Sequence, residues 1–104
     1  MFGRLDLLYA PVRTKMFSSQ ATGCNPISDC VNATRNRHQP IRKPNTICKS
    51  LAIGDPADGI YSSQLIKATG GWAEDVSDDE IVENMLLLAR TEGIPLDPVY
   101  TGKI

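Results

Sequence analysis

The chain has 104 residues, 41% of them hydrophobic and 22% charged, with a formal net charge of −1. That length suits one small domain and not a two-domain enzyme. So small a charge makes no long-range field to gather nucleic acid or an anionic membrane, and no apolar run approaches the ~20 residues that cross a bilayer.

Residues 1–14 give no firm element. Asp6 interrupts Leu5, Leu7 and Leu8, which argues against a secretory signal. Met16 to Ala21 reads as a short strand led by Met16 and Phe17. Asn25-Pro26 is a good helix start, since asparagine caps and proline suits the first helical position. Ile27, Cys30 and Val31 follow on one face, and the helix fades between Asn32 and Asn36. Asn32-Ala33-Thr34 matches a glycosylation pattern, a chance match in a protein with no route to secretion.

His38 to Asn45 is a loop punctuated by Pro40 and Pro44. The basic run with Arg35, Arg37, Arg42, Lys43 and Lys49 reads as a solvated loop before a phosphate site. Thr46 to Ile53 is apolar-rich and ends at Gly54. Asp55-Pro56 repeats the cap-then-proline signature, and Ala57, Ile60, Tyr61, Leu65 and Ala68 mark a helical face closed by Gly70-Gly71.

Trp72 to Val76 is a second strand. Ser77 and Glu80 then form a capping box, with Val76 and Ile81 placed as a hydrophobic staple and Asp78 and Asp79 at the positive end of the dipole. Ile81, Met85, Leu88 and Ala89 make one stripe, widened by Val82 and Leu86. Gly93 stops the helix, and Pro95 and Pro98 prevent its return. The order strand, helix, loop, helix, strand, helix, strand predicts an α/β layer.

Several segments also resemble one family. Gln20-Ala21-Thr22-Gly23-Cys24-Asn25-Pro26-Ile27 looks like the strand-to-helix passage of threonine synthases. The run from Pro44 to Gly59, closing in Ile53-Gly54-Asp55-Pro56-Ala57-Asp58-Gly59, is similar to that family's I-G-N/D-P-A-D-G run. Gly70 to Val82 and Leu88 to Ile94 resemble its later segments. The match covers roughly residues 15 to 94 in the family's order.

The resemblance implies the type II fold of pyridoxal-phosphate enzymes (tryptophan synthase β-like), a three-layer sheet with helices of which residues 15–104 would be an incomplete C-terminal portion. It implies a lyase of threonine and amino-acid biosynthesis, converting O-phosphohomoserine and water to threonine and phosphate. The cofactor acts as an electron sink, and the complete enzyme would take a small amino-acid substrate and could pair as a homodimer. A lysine in a Ser-Phe-Lys-Asp type motif holds the cofactor in this family. None of Lys15, Lys43, Lys49, Lys67 and Lys103 sits in that setting. Gly3 stands alone, so the glycine-rich phosphate loop is missing as well. The chain by itself is therefore expected to be inactive, with no catalytic residue assigned.

Past Ile94 the pattern changes. Asp97-Pro98-Val99-Tyr100-Thr101-Gly102-Lys103 looks like the D-P-V-Y-T/E-G-K segment of D-cysteine desulfhydrases, also type II enzymes. By that resemblance Thr101 faces the pyridine nitrogen of the cofactor, where a neutral hydroxyl would leave the ring unprotonated.

Two other readings stand beside this one. The chain could belong to another type II lyase, a desulfhydrase or an ammonia-lyase. It could instead be a non-enzymatic metal or partner-binding module built on Cys24, Cys30, His38 and Cys48. No cysteine pair has knuckle spacing, an odd set of three makes no disulfide framework, and buried thiols in a reducing cytoplasm are the simpler account, with no metal. For Asp55 and Asp58, capping is simpler than substrate contact. Lys49 reads as a surface residue and Trp72 as packing.

Overall fold

The computed structural model describes residues 10–102. Gly3 and Lys103 lie outside that span, as does most of the unassigned N-terminal segment. Two short strands, β1 (Ser18–Ala21) and β2 (Ala73–Val76), pair in parallel, Ser18 opposite Ala73 and Ala21 opposite Val76. Parallel neighbours cannot be joined by a tight turn. The crossover here is α1 (Pro26–Asn32), a long loop with a 3-10 turn at Lys49–Leu51, and α2 (Gly59–Ala68). Helix α3 (Asp78–Glu92) follows β2 after the single residue Ser77. The α/β reading holds, and the described part of the sheet is this parallel pair.

Several boundaries differ from the sequence reading. β1 begins at Ser18 rather than Met16, and Phe17 instead meets the Trp72 ring edge-on at 4.3 Å. Asn25 stands at the start of α1, but its side chain does not cap it. Gln20 of β1 does, its Oε1 accepting from the backbone N–H groups of Ile27 and Ser28 at 2.8 and 3.0 Å. Asn25 Nδ2 donates across to Asp75 Oδ2 of β2 at 2.7 Å, and Ser28 Oγ donates to Asp75 Oδ1. The helix start is thus tied to both strands by side chains far apart in sequence.

Helix α2 starts at Gly59, not at Pro56, whose carbonyl only closes a turn to the Gly59 N–H at 3.1 Å. Its expected apolar face is also displaced. Tyr61 is 75% exposed and Leu65 49%, while Gly59, Ser63 and Ile66 are buried. These three lie at i, i+4 and i+7, so they share one face. Two of them are small, Gly59 lying so near the His38 ring that a Cβ would meet it, and so the stripe is one that hydrophobicity alone does not mark. The apolar-rich run Thr46 to Ile53 holds the 3-10 turn, and Pro98 to Gly102 is a run of turns rather than the final strand of the predicted order.

Helix α3 matches its local signals. Ser77 Oγ accepts from the Glu80 N–H at 3.2 Å, and Glu80 Oε2 accepts from the Ser77 N–H at 2.8 Å. Val76 packs beside Ile81, as a staple requires. Gly93 ends the helix at φ 68°. Ile81 is fully buried against Ala21 and Cys48, with Val76 and Met85 partly covering the cluster. The stripe does not face outward as a unit, because the chain itself covers Ile81. The exposed large apolar residues of α3 are Val82, Leu86 and Leu87, at 46%, 48% and 57%, and Ala89 of the expected stripe is exposed as well.

Two helix ends show the same closing geometry with different residues. After α2, the Gly71 N–H donates to Ile66 O and the Gly70 N–H to Lys67 O, with Gly70 at φ 67°. After α1, the Arg35 N–H donates to Cys30 O and the Thr34 N–H to Val31 O, but here Thr34 takes the left-handed position at φ 56°. A β-branched residue is strained there by roughly 1–2 kcal/mol, whereas glycine costs about 0.5–1 kcal/mol in unfolded-state entropy. Strain wins that comparison. Thr34→Gly is expected to stabilise the fold by about 0.5–1 kcal/mol, read as a higher urea midpoint with an unchanged slope.

A second substitution tests the α3 start. The backbone N–H of Ser77, and then its hydroxyl, hold the exposed Glu80 carboxyl below its ordinary value of 4.5. A lowered folded pKa stabilises above the unfolded value and is lost as pH falls through the folded one. Ser77→Ala should cost about 1 kcal/mol at neutral pH, and the variant's acid unfolding should lose part of the wild-type pH dependence below 4.5.

Candidate functional site

The turn that carries Thr101 is organised by Asp97. Oδ1 of Asp97 accepts from the backbone N–H groups of Val99 and Tyr100 at 2.9 and 2.6 Å. Oδ2 accepts from the Thr101 hydroxyl at 2.7 Å, and the Asp97 carbonyl accepts from the Gly102 N–H at 2.9 Å. These donors, the Tyr100 N–H first and the Thr101 hydroxyl second, hold the Asp97 carboxyl below its ordinary range. It stays ionised at neutral pH.

The turn is also docked on the core. Cys48 Sγ donates to Pro98 O at 3.0 Å. Gly102 is buried so closely that a Cβ there would lie 3.0 Å from side-chain atoms of both Ile81 and Met85. A Cβ there would require the Ile81 and Met85 side chains or the turn to give by a few tenths of an ångström. Thr101 itself is exposed. It lines a cavity of about 400 Å³ with Val76, Leu87, Leu88, Leu96 and Glu92.

On another side of the turn, Phe17, Trp72, Tyr100 and Glu74 line a cavity of about 490 Å³. Trp72 does not pack inward as expected and is 59% exposed. A third cavity, about 310 Å³, lies between β1 and the loop, with Gln20, Cys24, Thr46, Cys48 and Asp58 on its walls.

The remaining sequence-singled residues scatter. Asp58 precedes α2 but makes no side-chain cap. Asp55 Oδ1 meets His38 Nε2 at 2.8 Å, and His38 Nδ1 is buried without a partner. Lys49 is exposed in the 3-10 turn. All three cysteines are buried and form no disulfide with one another. Cys30 Sγ donates to Arg35 O at 3.3 Å, and Lys67 Nζ donates to the same carbonyl. Among the described residues no three His, Cys, Asp or Glu side chains converge as metal ligands.

Sequence reading missed Asp97, although Asp97-Pro98 is a turn signal that could have flagged it. It also missed Asp78, whose carboxylate accepts from Thr46 Oγ1 at 2.5 Å and from the Ile47 N–H at 3.0 Å. No local pattern announces that long-range bond.

Comparison with known proteins follows this geometry. The profile of the family described as pyridoxal-phosphate dependent enzymes matches residues 5–104. A threonine synthase of Methanocaldococcus jannaschii is 38% identical over 90 residues, which is 86% of this chain and 22% of the relative. One of Methanosarcina acetivorans is 32% identical over the same shares. A third, of Halalkalibacterium halodurans, is 34% identical over 68 residues, 65% of this chain and 19% of the relative. The chain spans about a fifth of the length of the curated relatives it matches. Among the described residues no helix is long and apolar enough to cross a membrane.

Surface area fits an open arrangement. A monomer of 11.4 kDa should expose about 5,800 Å², and this one exposes 7680 Å². Among the described residues Phe17, Trp72, Leu86 and Leu87 are large apolar side chains about half exposed. The isolated polypeptide is expected to bind an apolar dye and to associate as concentration rises. Sedimentation checks this. Leu86→Lys with Leu87→Lys should weaken association, and a dye-silent wild-type monomer would overturn the expectation.

Proposed function

This chain belongs to the family of pyridoxal-phosphate dependent enzymes, and on that premise we propose that residues 15–104 are the C-terminal portion of a catalytic domain that makes threonine and phosphate from O-phosphohomoserine and water. The observation that carries the reading is 38% identity to a threonine synthase across 86% of the chain. The complete protein would act in the cytoplasm on this small amino-acid substrate, as a homodimer.

When bound, pyridoxal phosphate supplies the electron sink for the reaction. The described residues suit one contact to it. Thr101 presents an exposed hydroxyl beside an aliphatic-walled cavity, which fits the edge of a flat heteroaromatic ring. Thr101 would therefore hold the pyridine nitrogen, and Asp97 would hold Thr101. The lysines suit the covalent anchor poorly. Lys49 is exposed on a 3-10 turn, and Lys67 is tied to the Arg35 carbonyl. On this reading the polypeptide of 104 residues alone neither binds the cofactor covalently nor turns over.

A second reading, a D-cysteine desulfhydrase, is favoured by the Asp97-to-Gly102 turn with its resemblance to that enzyme's motif. One experiment separates the two. Residues 15–102 are placed in the matching part of the Methanosarcina acetivorans relative, and the chimera is assayed on both substrates. Threonine and phosphate formation within about tenfold of the parent is expected, a loss of no more than ~1.4 kcal/mol in the barrier. A folded chimera that forms no threonine but releases sulfide from D-cysteine would replace the first reading by the second.

A further inference from the structure

Cys24 and Cys48 both wall the cavity of about 310 Å³ between β1 and the crossover loop, together with Gln20 and Thr46. The backbone brings the two thiols there. Gly23 O accepts from the Asn45 N–H at 3.0 Å, and a Cβ on Gly23 would lie 1.7 Å from Asn45 O. The chain segments leading into the two cysteines are therefore in contact, with no room for a side chain at Gly23. Past that point both turn to Ala21. The Cys24 N–H donates to Ala21 O at 2.9 Å, and Cys48 packs with Ala21 in the core. Thr46 Oγ1 accepts the Cys48 N–H at 3.2 Å and fixes that residue's backbone. Cys30 is engaged elsewhere, fully enclosed in α1 with its thiol donating to Arg35 O.

We infer that Cys24 and Cys48 form a dithiol site that a hydroperoxide closes into a disulfide, and that closing it releases the C-terminal turn from the core. One equivalent of hydrogen peroxide balances the step. One thiol sulfur attacks a peroxide oxygen, the O–O bond breaks, and a sulfenic acid and a water result. The other sulfur attacks the sulfenic sulfur, the S–O bond breaks, and the departing hydroxide takes the thiol proton as a second water. Each cysteine gives up one electron, and the peroxide takes both. A cavity of this size admits a molecule little larger than water.

Release follows from the loss of one proton. Cys48 Sγ donates to Pro98 O at 3.0 Å in the thiol form. A disulfide sulfur has no proton to donate, and Sγ must also swing toward Cys24 to make the bond. The Pro98 carbonyl then loses the one side chain that ties it to the crossover loop. The close contact of Gly102 with Ile81 and Met85 depends on the turn staying docked. The inference does not depend on which substrate the complete enzyme takes.

The test treats the full chain with a small excess of hydrogen peroxide and reads the thiols and the turn separately. Peptide mapping without reductant should show Cys24 linked to Cys48 and Cys30 still a thiol, and dithiothreitol should reverse the linkage. In the linked form the nuclear Overhauser contacts between Gly102 and Ile81 should vanish, and hydrogen exchange at the Gly102 amide should rise on the order of tenfold. Cys24→Ser keeps the Cys48 thiol. That variant should retain the Gly102 contacts in peroxide-free buffer and form no linkage within the chain when peroxide is added. Linkage through Cys30, linkage only between chains, separate oxidation of the two sulfurs or thiols that stay unreacted would overturn the dithiol site. A Cys24–Cys48 disulfide with the Gly102 contacts intact would overturn the release of the turn.

Discussion

The burial of Ile81 holds together the parts of this structure that bear on function. It sits in the first turn of α3, fully enclosed, against Ala21 at the end of β1 and Cys48 in the crossover loop. Gly102 closes over it from the C-terminal turn. Burying one such side chain contributes roughly 1.5–3 kcal/mol, a large share of the stability of any small domain. Three segments distant in sequence meet at one residue, and the Thr101 turn is one of them. The capping box and the Val76 staple direct α3 so that Ile81 arrives there. Local helix signals thus decide where a distant hydroxyl stands.

Around that point the structure stays thin. The described sheet is a single parallel pair, and one face of α3 keeps Val82, Leu86 and Leu87 in water. The radius of gyration is 15.8 Å, against about 13 Å for a compact domain of this length. Among the described residues the buried hydrophobic side chains are few and mostly small, with Ile27, Ile66 and Ile81 the large ones. Stability that depends on so few contacts is open to large effects from single substitutions. It also leaves apolar surface available to a covering partner.

How much of this was legible depends on whether the governing interaction is local. The capping box, the Gly70 and Gly93 stops and the α/β class were readable, because each is set within one turn or by periodicity. The α1 cap was not. Asn25 has the right chemistry for it, but Gln20 reaches the N–H groups first, and Asn25 is drawn to Asp75 instead. The α2 start failed for a related reason. Asp55-Pro56 fits a helix start, but Asp55 pairs with His38, and the chain turns once more before Gly59. The residue types were right, and tertiary partners decided their use. Of the site, Thr101 came only through resemblance, and Asp97 beside it was overlooked. Its role shows only once three donors converge on one carboxylate.

That last pattern recurs. Asp75 collects Asn25 and Ser28, Asp78 collects Thr46 and the Ile47 N–H, and Asp97 collects Val99, Tyr100 and Thr101. Asp78 and Asp97 bind segments that lack the backbone partners of a helix or sheet, Asp75 binds side chains at the start of α1, and polar groups left without partners are costly. Two of the three fasten the crossover to β2 and α3, so their work is structural. The third has no remote segment to fasten. All its donors come from the next five residues, and one of them is a hydroxyl open to solvent. A carboxylate whose donors all lie in its own turn sets the shape of that turn locally, whereas the other two set the distance between segments far apart in sequence.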